Sequence, residues 1–371
     1  MNTLQNTHAA HLGYVPIAEV QRGGVTESVH FGAVAVTNAQ GDLLYAAGNP
    51  RMHTFARSAL KPFQAAPFFA AGGVAKLGLT LPETAVLCAS HNGEARHADT
   101  VASVLHKADA NPTQLLCGCH MPFKFSWFDK QPPPGEQWSA LHHNCSGKHA
   151  GMIAAARLFG VSVNDYIHPQ HPVQEAARKA LVSCMGVSPG QLIAATDGCS
   201  APTYALPLHN LAQGYARLAL GHGVSQDAPK DVSSNVSSSG FSGANHEYQS
   251  ALNIAFKAMT EHPEMVSGEG RNDLAFTQAG QSNGAGDWVC KIGAEGVQAI
   301  GIRSLGLGIA VKVADGNMRG LYPATIAVLE QLGVMTDARR EMLKAWAEPV
   351  IKSAVGHPVG SIIPALQLQK F

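Results

Sequence analysis

Hydrophobic residues recur along this chain with two different spacings, one typical of strands and the other of helices. Residues 31–48 hold two short runs rich in β-forming residues on either side of an Asn-Ala-Gln-Gly turn. This arrangement predicts a β-hairpin. Residues 84–90 (TAVLCAS) predict a further strand that ends at Ser90. Similar runs predict strands within residues 191–200, 288–304 and 308–316.

Longer, alanine-rich segments predict helices between these strands. The first runs from Ser58 to about Ala71, and Pro62 is compatible with it because proline is tolerated in the first turn of a helix. Three further helices are predicted in residues 97–108, 147–158 and 322–332. This mixture favours an α/β or α+β fold, in which a mixed, mainly antiparallel sheet is flanked by helices.

The chain length of 371 residues, 46% of them hydrophobic, allows one large core. We predict a single domain over residues 1–371, in which two lobes could pack closely together. Residues 222–250 stand apart because they are dense in Ser, Gly and Asn and offer little to bury. Such a composition predicts a flexible surface loop. Two interpretations of the loop stay open: an active-site lid and an insertion without a role.

Charge and cysteine usage exclude several classes of protein. The 26 Lys and Arg residues balance the 26 Asp and Glu residues, so a nucleic-acid-binding face is not expected. Residues 1–16 lack the features of a secretory signal, and no apolar run reaches the ~20 residues of a membrane span. Seven cysteines at irregular positions do not suggest a disulfide framework. We therefore expect a soluble, cytoplasmic protein with reduced thiols and no membrane partner.

Three short motifs follow one another in the order S-x-x-K, S-x-N and K-x-G. Ser58 precedes Lys61 by three residues, which places both on one face of a helix. Ser90 opens the second motif and Lys291 the third. The same order is found in penicillin-binding proteins and serine β-lactamases. Since a serine hydroxyl needs a neighbouring base and a lysine can be that base, the motifs predict a serine hydrolase.

A pair of lysines in one pocket has a chemical reason. A free lysine has a pKa near ~10.4 and is almost never neutral at pH 7. Lowering that pKa by ~3 units costs ~4 kcal/mol, which burial and a second positive charge can supply. Two Ser-Lys pairs, Ser58 with Lys61 and Ser90 with Lys291, would have this effect on each other. One pair would activate the nucleophile while the other relays a proton to the leaving amine.

A metal site is also suggested by Cys145, Lys148 and Cys199, which small residues flank. Two thiolates with one nitrogen and a water suit zinc, although lysine must be neutral to bind. From spacing alone, unrelated buried cysteines are the competing explanation. His149, next to Lys148, is the histidine that we select as a candidate functional residue.

Taken together, five segments resemble the Rhizobium etli-type L-asparaginases, the third structural class of asparaginase. The segments are FARSALKPFQ, LCASHNGEARH, HHNCSGKHAGM, TDGCSAPT and KIGAEGVQ, and the resemblance covers nearly the whole chain. It implies a fold similar to that of serine β-lactamases, penicillin-binding proteins and glutaminases, and it implies a homodimer. The implied activity is hydrolysis of L-asparagine to L-aspartate and ammonia.

The resemblance also implies roles for individual residues. Catalysis would use two Ser-Lys tandems, and zinc, helping substrate binding more than hydrolysis, would be held beside the pocket. Arg57 would bind the substrate carboxylate through its bidentate fork, Asp197 its ammonium, and His149 would orient either group. The implied catalytic residues are Ser58, Lys61, Ser90 and Lys291, and the implied zinc ligands are Cys145, Lys148 and Cys199.

Alternatives to this assignment come from two other classes. One is a glutaminase or a serine acyl hydrolase that acts on β-lactams or peptides. The other is a non-catalytic module that binds zinc or an amino acid. Discrimination between asparagine and glutamine rests on one methylene, worth ~1–3 kcal/mol in a fitted pocket.

Overall fold

A large antiparallel sheet dominates the structure, a computed structural model that describes residues 13–220, 246–282 and 285–371. The strands of the described residues are β1 (Val15–Arg22), β2 (Val25–Asn38), β3 (Leu43–Ala47), β4 (His53–Phe55), β5 (Ile193–Thr196), β6 (Pro202–Pro207), β7 (Gln281–Ser282), β8 (Ala285–Gly286), β9 (Trp288–Gly293), β10 (Val297–Ile302), β11 (Leu307–Val313), β12 (Val350–Lys352), β13 (Pro358–Pro364) and β14 (Gln369–Lys370).

Helices surround the sheet. In the described residues they are α1 (Lys61–Ala70), α2 (Gly73–Leu77), α3 (Leu81–Val86), α4 (Ala95–Lys107), α5 (Phe123–Ser126), α6 (Ser146–Phe159), α7 (Pro172–Met185), α8 (Leu208–Ala219), α9 (His246–Glu261), α10 (Pro263–Val266), α11 (Asn272–Ala279), α12 (Met318–Gln331) and α13 (Asp337–Ala347). Short 3-10 helices cover Arg57–Leu60, Pro112–Gln114, Ala140–His142 and Pro189–Gln191.

The order of strands in the largest sheet is β12-β13-β1-β2-β11-β10-β9. The long strand β2 also pairs with β3, which in turn pairs with β14, so that nine strands of the described part of the chain form this sheet. Every pairing is antiparallel. A smaller sheet has the order β4-β6-β5 and lies beside the site described below, while β7 and β8 form a two-stranded ribbon.

The sheet separates two hydrophobic clusters, as the alternation of side chains along β2 illustrates. Ala33 and Ala35 belong to the cluster that includes α1, α6 and α8, whereas Val34 and Val36 belong to the cluster that includes α12. Successive side chains of a strand point to opposite faces. Both faces of the sheet are therefore covered by helices, with small residues under α8 and β-branched residues under α12.

Close packing of α8 on the sheet depends on a glycine. A Cβ atom at Gly308 in β11 would lie 1.8 Å from the carbonyl oxygen of Ala212 in α8. No real Cβ approaches a backbone atom so closely, so this position accepts only glycine without movement of the helix.

Most of the predicted elements are confirmed. The hairpin predicted for residues 31–48 is β2 with β3, although β2 begins earlier, at Val25. The predicted helices correspond to α1 with its preceding 3-10 turn, α4, α6 and α12. The late strands are β9, β10 and β11 of one sheet, and the segment 191–200 contains β5. The expectation of a mainly antiparallel sheet flanked by helices is likewise confirmed.

The strand predicted for residues 84–90 is wrong. The chain forms α3 as far as Val86, and Ser90 follows in a loop rather than at a strand end. The reason lies just upstream, where Thr80 and Glu83 form a capping box and Pro82 occupies the first turn. These are helix-start signals that outweigh a short apolar run.

Part of the predicted surface loop falls outside the described residues, namely residues 222–245. Residues 246–250 begin α9, so the loop was predicted to extend too far towards the C-terminus. Among the described helices, none combines the length and the apolar character that crossing a membrane requires.

Candidate active site

Ser58 lies in a sharp turn between β4 and α1. The turn is strained at Arg57, whose φ of 51° is uncommon for a residue other than glycine. A 3-10 helix (Arg57–Leu60) then leads into α1, and β9 packs against it. Ser58 is partly exposed, and its hydroxyl makes no hydrogen bond with the described residues. The hydroxyl is therefore free to meet a small molecule.

Lys61 is buried in the first turn of α1, with 1% of its surface exposed. Its Nζ donates hydrogen bonds to the carbonyl oxygen of Ala89 and to Oγ of Ser90, the latter at 2.9 Å. The predicted pairing of Lys61 with Ser58 therefore differs from the hydrogen bond observed. A buried amino group needs acceptors for its N–H groups, and the loop after α3 provides two of them.

Ser90 is held in place by contacts to its backbone. Its N–H donates to the carbonyl oxygen of Val266 at 2.8 Å, and the N–H of His91 donates to that of Asn144 at 3.2 Å. Only 3% of Ser90 is exposed, against the partial exposure of Ser58. The loop thus presents a fixed, buried hydroxyl to Lys61.

Lys291 points into the same region from the sheet. It lies in one cross-strand row with Ala299, Ala310 and Ala35, and residues opposite each other in adjacent strands share a face. These alanines belong to the cluster on the α8 side, so the side chain of Lys291 lies on that side. The K-x-G motif is inside β9, as predicted.

The hydrogen bonds of Lys291 differ from the predicted pairing with Ser90. Nζ lies 3.4 Å from Oδ2 of Asp273 and donates to the carbonyl oxygen of Ile292 at 3.1 Å. Complete burial lowers the pKa of Lys291 to about 8; the positive charges of Lys61 and Arg271 lower it as well, against the opposing charge of Asp273. Lys291 can therefore exchange a proton near neutral pH.

Arg57 and Asp197 form a bidentate ion pair. Nε and Nη2 of Arg57 donate to Oδ2 and Oδ1 of Asp197, both at 3.0 Å. Burial raises the pKa of Asp197, but the hydrogen bond from Arg57 and nearby positive charges outweigh burial and bring it to about 2. The two groups predicted to bind opposite ends of a substrate are adjacent, and in this structure they bind each other.

The three predicted metal ligands lie close together. Cys145 and Lys148 are at the start of α6, and Cys199 is in the loop after β5. Nζ of Lys148 lies 3.0 Å from Sγ of Cys199. A hydrogen bond between the thiols lowers the pKa of Cys145 and raises that of Cys199, and the charges of Lys61 and Lys148 lower the pKa of Cys145 further. The predicted trio is thus a real cluster, and Lys61 connects it to Ser90.

The donor types of this cluster fit a zinc ion. Two sulfurs and one amine nitrogen converge in a buried place, and the tendency of Cys145 to ionise suits a metal ligand. Burial lowers the pKa of Lys148, but the charges of Cys199 and Cys145 outweigh burial and raise it, so Lys148 would have to lose its proton to bind. In the described residues, no group of three or more His, Cys, Asp or Glu side chains is placed to hold a metal, so a metal here would depend on Lys148 as a ligand.

His149 lies behind this cluster and is fully buried. Its Nδ1 is 2.8 Å from the hydroxyl of Tyr166, while its Nε2 is buried without a hydrogen-bond partner. Burial lowers the pKa of His149 to about 4, and the nearby Cys199 opposes this shift. The residue therefore contacts the cysteine cluster rather than the Arg57–Asp197 pair.

Sequence reasoning missed two residues near Lys291. Asp273 and Arg271 are each 1% exposed, and Nη1 of Arg271 donates to Oδ1 of Asn92 at 3.1 Å. The guanidinium also lies 3.6 Å from the ring centroid of Trp127. No motif marks either residue, because their place beside Lys291 depends on how α11 packs along the edge of β9.

Comparison with known proteins gives a family for the chain. A family model described as L-asparaginase II matches residues 18–364. A search among curated protein sequences found no match.

Several solved structures are similar to the chain at low sequence identity. A putative β-lactamase from Bacteroides dorei DSM 17855 has 11% identity and a TM-score of 0.40, covering 81% of this chain and 93% of that one. A β-lactamase from Mycobacterium bovis has 13% identity and a TM-score of 0.34, covering 81% and 94%. The structure of Mglu in its glutamate form has 15% identity and a TM-score of 0.34, covering 82% and 61%.

Proposed function

Because the chain belongs to the L-asparaginase II family, and is thus an asparaginase-type amidohydrolase, we propose that it hydrolyses L-asparagine to L-aspartate and ammonia through a Ser-Lys nucleophile. The hydrogen bond between Lys61 and Ser90 carries this proposal. Lys61 lies one helical turn after the partly exposed Ser58. The hydrogen bond joins Lys61 to a second serine, the buried Ser90. Such a chain of groups suits nucleophilic attack followed by proton relay.

In the proposed reaction Ser58 is the nucleophile. Its hydroxyl gives a proton to Lys61 as Oγ bonds to the side-chain amide carbon of the substrate. The C–N bond then breaks, and ammonia leaves with a proton delivered through Ser90 and Lys291. A water molecule then gives a proton back to Lys291 through Ser90 and attacks the β-aspartyl ester. The bond between the acyl carbon and Oγ of Ser58 breaks, Oγ takes its proton back from Lys61, and L-aspartate departs. The greater exposure of Ser58 supports this choice of nucleophile over Ser90.

Substrate binding would use the Arg57–Asp197 pair. An amino acid carries a carboxylate and an ammonium on one carbon, and the pair offers the complementary charges side by side. We infer that the zwitterion opens the pair, with its carboxylate bound by Arg57 and its ammonium by Asp197. His149 would act indirectly, by fixing Cys199 beside the pocket.

The proposed cofactor is zinc, held by Cys145, Lys148 and Cys199. A zinc ion would supply positive charge and Lewis acidity beside the pocket. These residues meanwhile fix the loop that carries Asp197, because Cys199 follows it by two positions. Help with substrate binding, rather than a part in the hydrolytic steps, is the role that this connection supports.

The test is ammonia release from L-asparagine and L-glutamine by the purified protein, with bound zinc measured on the same sample. We expect release mainly from asparagine, with about one zinc per chain. A chromogenic β-lactam assay on the same sample examines the acyl-hydrolase alternative. Absence of ammonia from both amides would overturn the proposal.

A homodimer and a cytoplasmic location are also proposed, on the resemblance to the Rhizobium etli-type enzymes. Sedimentation velocity across a range of concentrations tests the first. A single species at the monomer mass of 38.9 kDa would contradict it.

A further inference from the structure

A buried carboxylate lies behind Lys291 and has no part in the reaction proposed above. Asp273, in the first turn of α11, is 1% exposed. Its Oδ2 accepts a hydrogen bond from the backbone N–H of Ile292 at 2.9 Å and lies 3.4 Å from Nζ of Lys291. Burying an ionised carboxylate is costly unless it is paired and hydrogen-bonded. Asp273 satisfies both conditions at the base of Lys291.

The position of β9 explains why an acceptor is needed here. Among the described residues β9 is the last strand of its sheet, so one side of it has no partner strand there. The N–H of Ile292 would be buried and unpaired without Asp273, and buried backbone donors are nearly always satisfied. The same carboxylate oxygen therefore accepts the free backbone N–H of Ile292 at the sheet edge and binds the ammonium of Lys291.

Further polar groups fix the other carboxylate oxygen. Oδ1 of Asp273 accepts from Nε2 of Gln298 at 3.2 Å and from Nδ2 of Asn272 at 3.3 Å. Asn272 also donates to Oε1 of Gln298 at 2.7 Å and accepts from the hydroxyl of Tyr322 at 3.3 Å. A connected buried network of this kind holds its members in one arrangement.

The charges around Lys291 are unequal. Lys61 on α1 and Arg271 before α11 bring two positive charges, and the buried thiol of Cys88 faces it from the loop after α3. Burial and both cations favour loss of the proton from Lys291. Among the described groups that face it, Asp273 alone brings an opposing negative charge.

We propose that Asp273 is a positioning residue for the amide hydrolysis, whose carboxylate fixes Nζ of Lys291 and keeps it an ammonium. The inference rests on the proposed function, in which Lys291 supplies the proton that leaves with ammonia. Asp273 itself neither gains nor loses a proton. It acts through Lys291, and Gln298 and Asn272 act through Asp273.

The test compares Asp273→Asn with Asp273→Glu and wild type. Removing an opposite charge at this range lowers a lysine pKa by about 1–3 units. We expect kcat of Asp273→Asn to fall about tenfold or more at pH 7, with the deficit shrinking as the pH is lowered. The alkaline limb of its pH profile should move to lower pH by at least about one unit. Asp273→Glu, which keeps the charge, should keep the wild-type limb.

Gln298→Met provides the matched packing control. It removes a donor to Asp273 but leaves the carboxylate charge, so kcat should fall by the same factor at every pH. The proposal is overturned if folded Asp273→Asn protein loses activity at the same alkaline pH as wild type. It is also overturned if its kcat is lower than that of wild type by the same factor at every pH. If Asp273→Asn does not fold, a folded Gln298→Met with wild-type kcat overturns it instead.

A second readout does not depend on the substrate. In protein labelled with ¹³C-lysine, NMR titration follows Lys291, which is assigned by the signal lost in Lys291→Arg. Asp273→Asn should titrate at lower pH than wild type, and an unchanged titration contradicts the inference. If wild type releases no ammonia from asparagine but the titration shifts, the proposed function fails while the action of Asp273 on Lys291 stands.

Discussion

At the scale of single residues, Lys61 decides which groups can share a proton. Its side chain begins one helical turn after Ser58 and ends 2.9 Å from Oγ of Ser90. One residue can lie near both serines because a lysine side chain is long enough to extend from its own helix to a neighbouring loop. In the proposed reaction the two serines therefore have different tasks, bond formation at Ser58 and proton transfer at Ser90.

Replacing each serine by alanine separates these tasks. Ser58→Ala removes the nucleophile, so kcat should fall on the order of 10⁴-fold or more. Ser90→Ala removes one member of the relay, and a loss of about 10²–10⁴-fold is expected. The measurement is ammonia release from asparagine at saturating substrate. Mass spectrometry after rapid quenching should find an acyl adduct on the Ser58 peptide, and an adduct on the Ser90 peptide would reverse the assignment.

The pH dependence of the reaction should report Lys291. Its pKa of about 8 means that the ammonium is present at pH 7 and is lost as the pH rises through that value. As the proton donor of the relay, Lys291 then fails, so kcat should fall about tenfold per pH unit above about pH 8. Lys291→Arg keeps a positive charge throughout, because arginine does not titrate in this range. A lower but flat rate is expected from it, and an unchanged alkaline fall would show that another group titrates.

At the scale of elements, the helix α3 shows what local patterns can and cannot predict. The motif spacing indicates Ser90, and the hydrophobic run before it predicts a strand. The capping box of Thr80 and Glu83 instead starts a helix, which ends at Val86 and leaves Ser90 in a loop. Local start signals were present in the sequence, so this element was predictable in principle.

The hydrogen-bond partners of the site were not predictable in the same way. Ser58 and Lys61 are neighbours in sequence, and so their shared turn followed from the spacing. Lys61 with Ser90 and Lys291 with Asp273 are contacts between separate elements, set by how α1 packs near the loop after α3 and how α11 packs along β9. The residues were therefore identified from sequence, while their pairing required the structure.

Packing of α8 on the sheet gives a prediction about stability. Gly308→Ala would place Cβ against the carbonyl oxygen of Ala212, and relief requires movement of the helix or strand. Overpacking of this kind costs about 1–3 kcal/mol in the free energy of unfolding. Urea unfolding followed by circular dichroism measures it. Gly190→Ala is the matched control, since no atom lies within 4 Å of its Cβ position; its change should stay within about 0.5 kcal/mol.

At the scale of the whole molecule, the site is assembled from segments distant in sequence. The turn at Ser58, the loop at Ser90, the start of α6, the loop after β5 and the strand β9 each contribute one or two groups. No single element holds enough of them to bind or react alone. A ligand shared by two of these segments would therefore stabilise their relative arrangement.

Zinc is such a ligand in the proposed site, because Cys145 precedes α6 directly, Lys148 lies in α6 and Cys199 follows β5. Cys199→Ala should lose bound zinc and raise KM more than it lowers kcat, since Asp197 lies two residues away while Ser58 and Lys61 lie on other elements. Zinc is measured by plasma mass spectrometry and KM by ammonia release. Cys184→Ala is the control: it removes a buried core thiol of α7, so zinc content and KM should stay at wild type. Equal zinc content in both variants would remove Cys199 from the ligand set.

A metal that binds only the folded state should also raise Tm. Chelation should therefore lower the Tm of wild type but not that of Cys199→Ala.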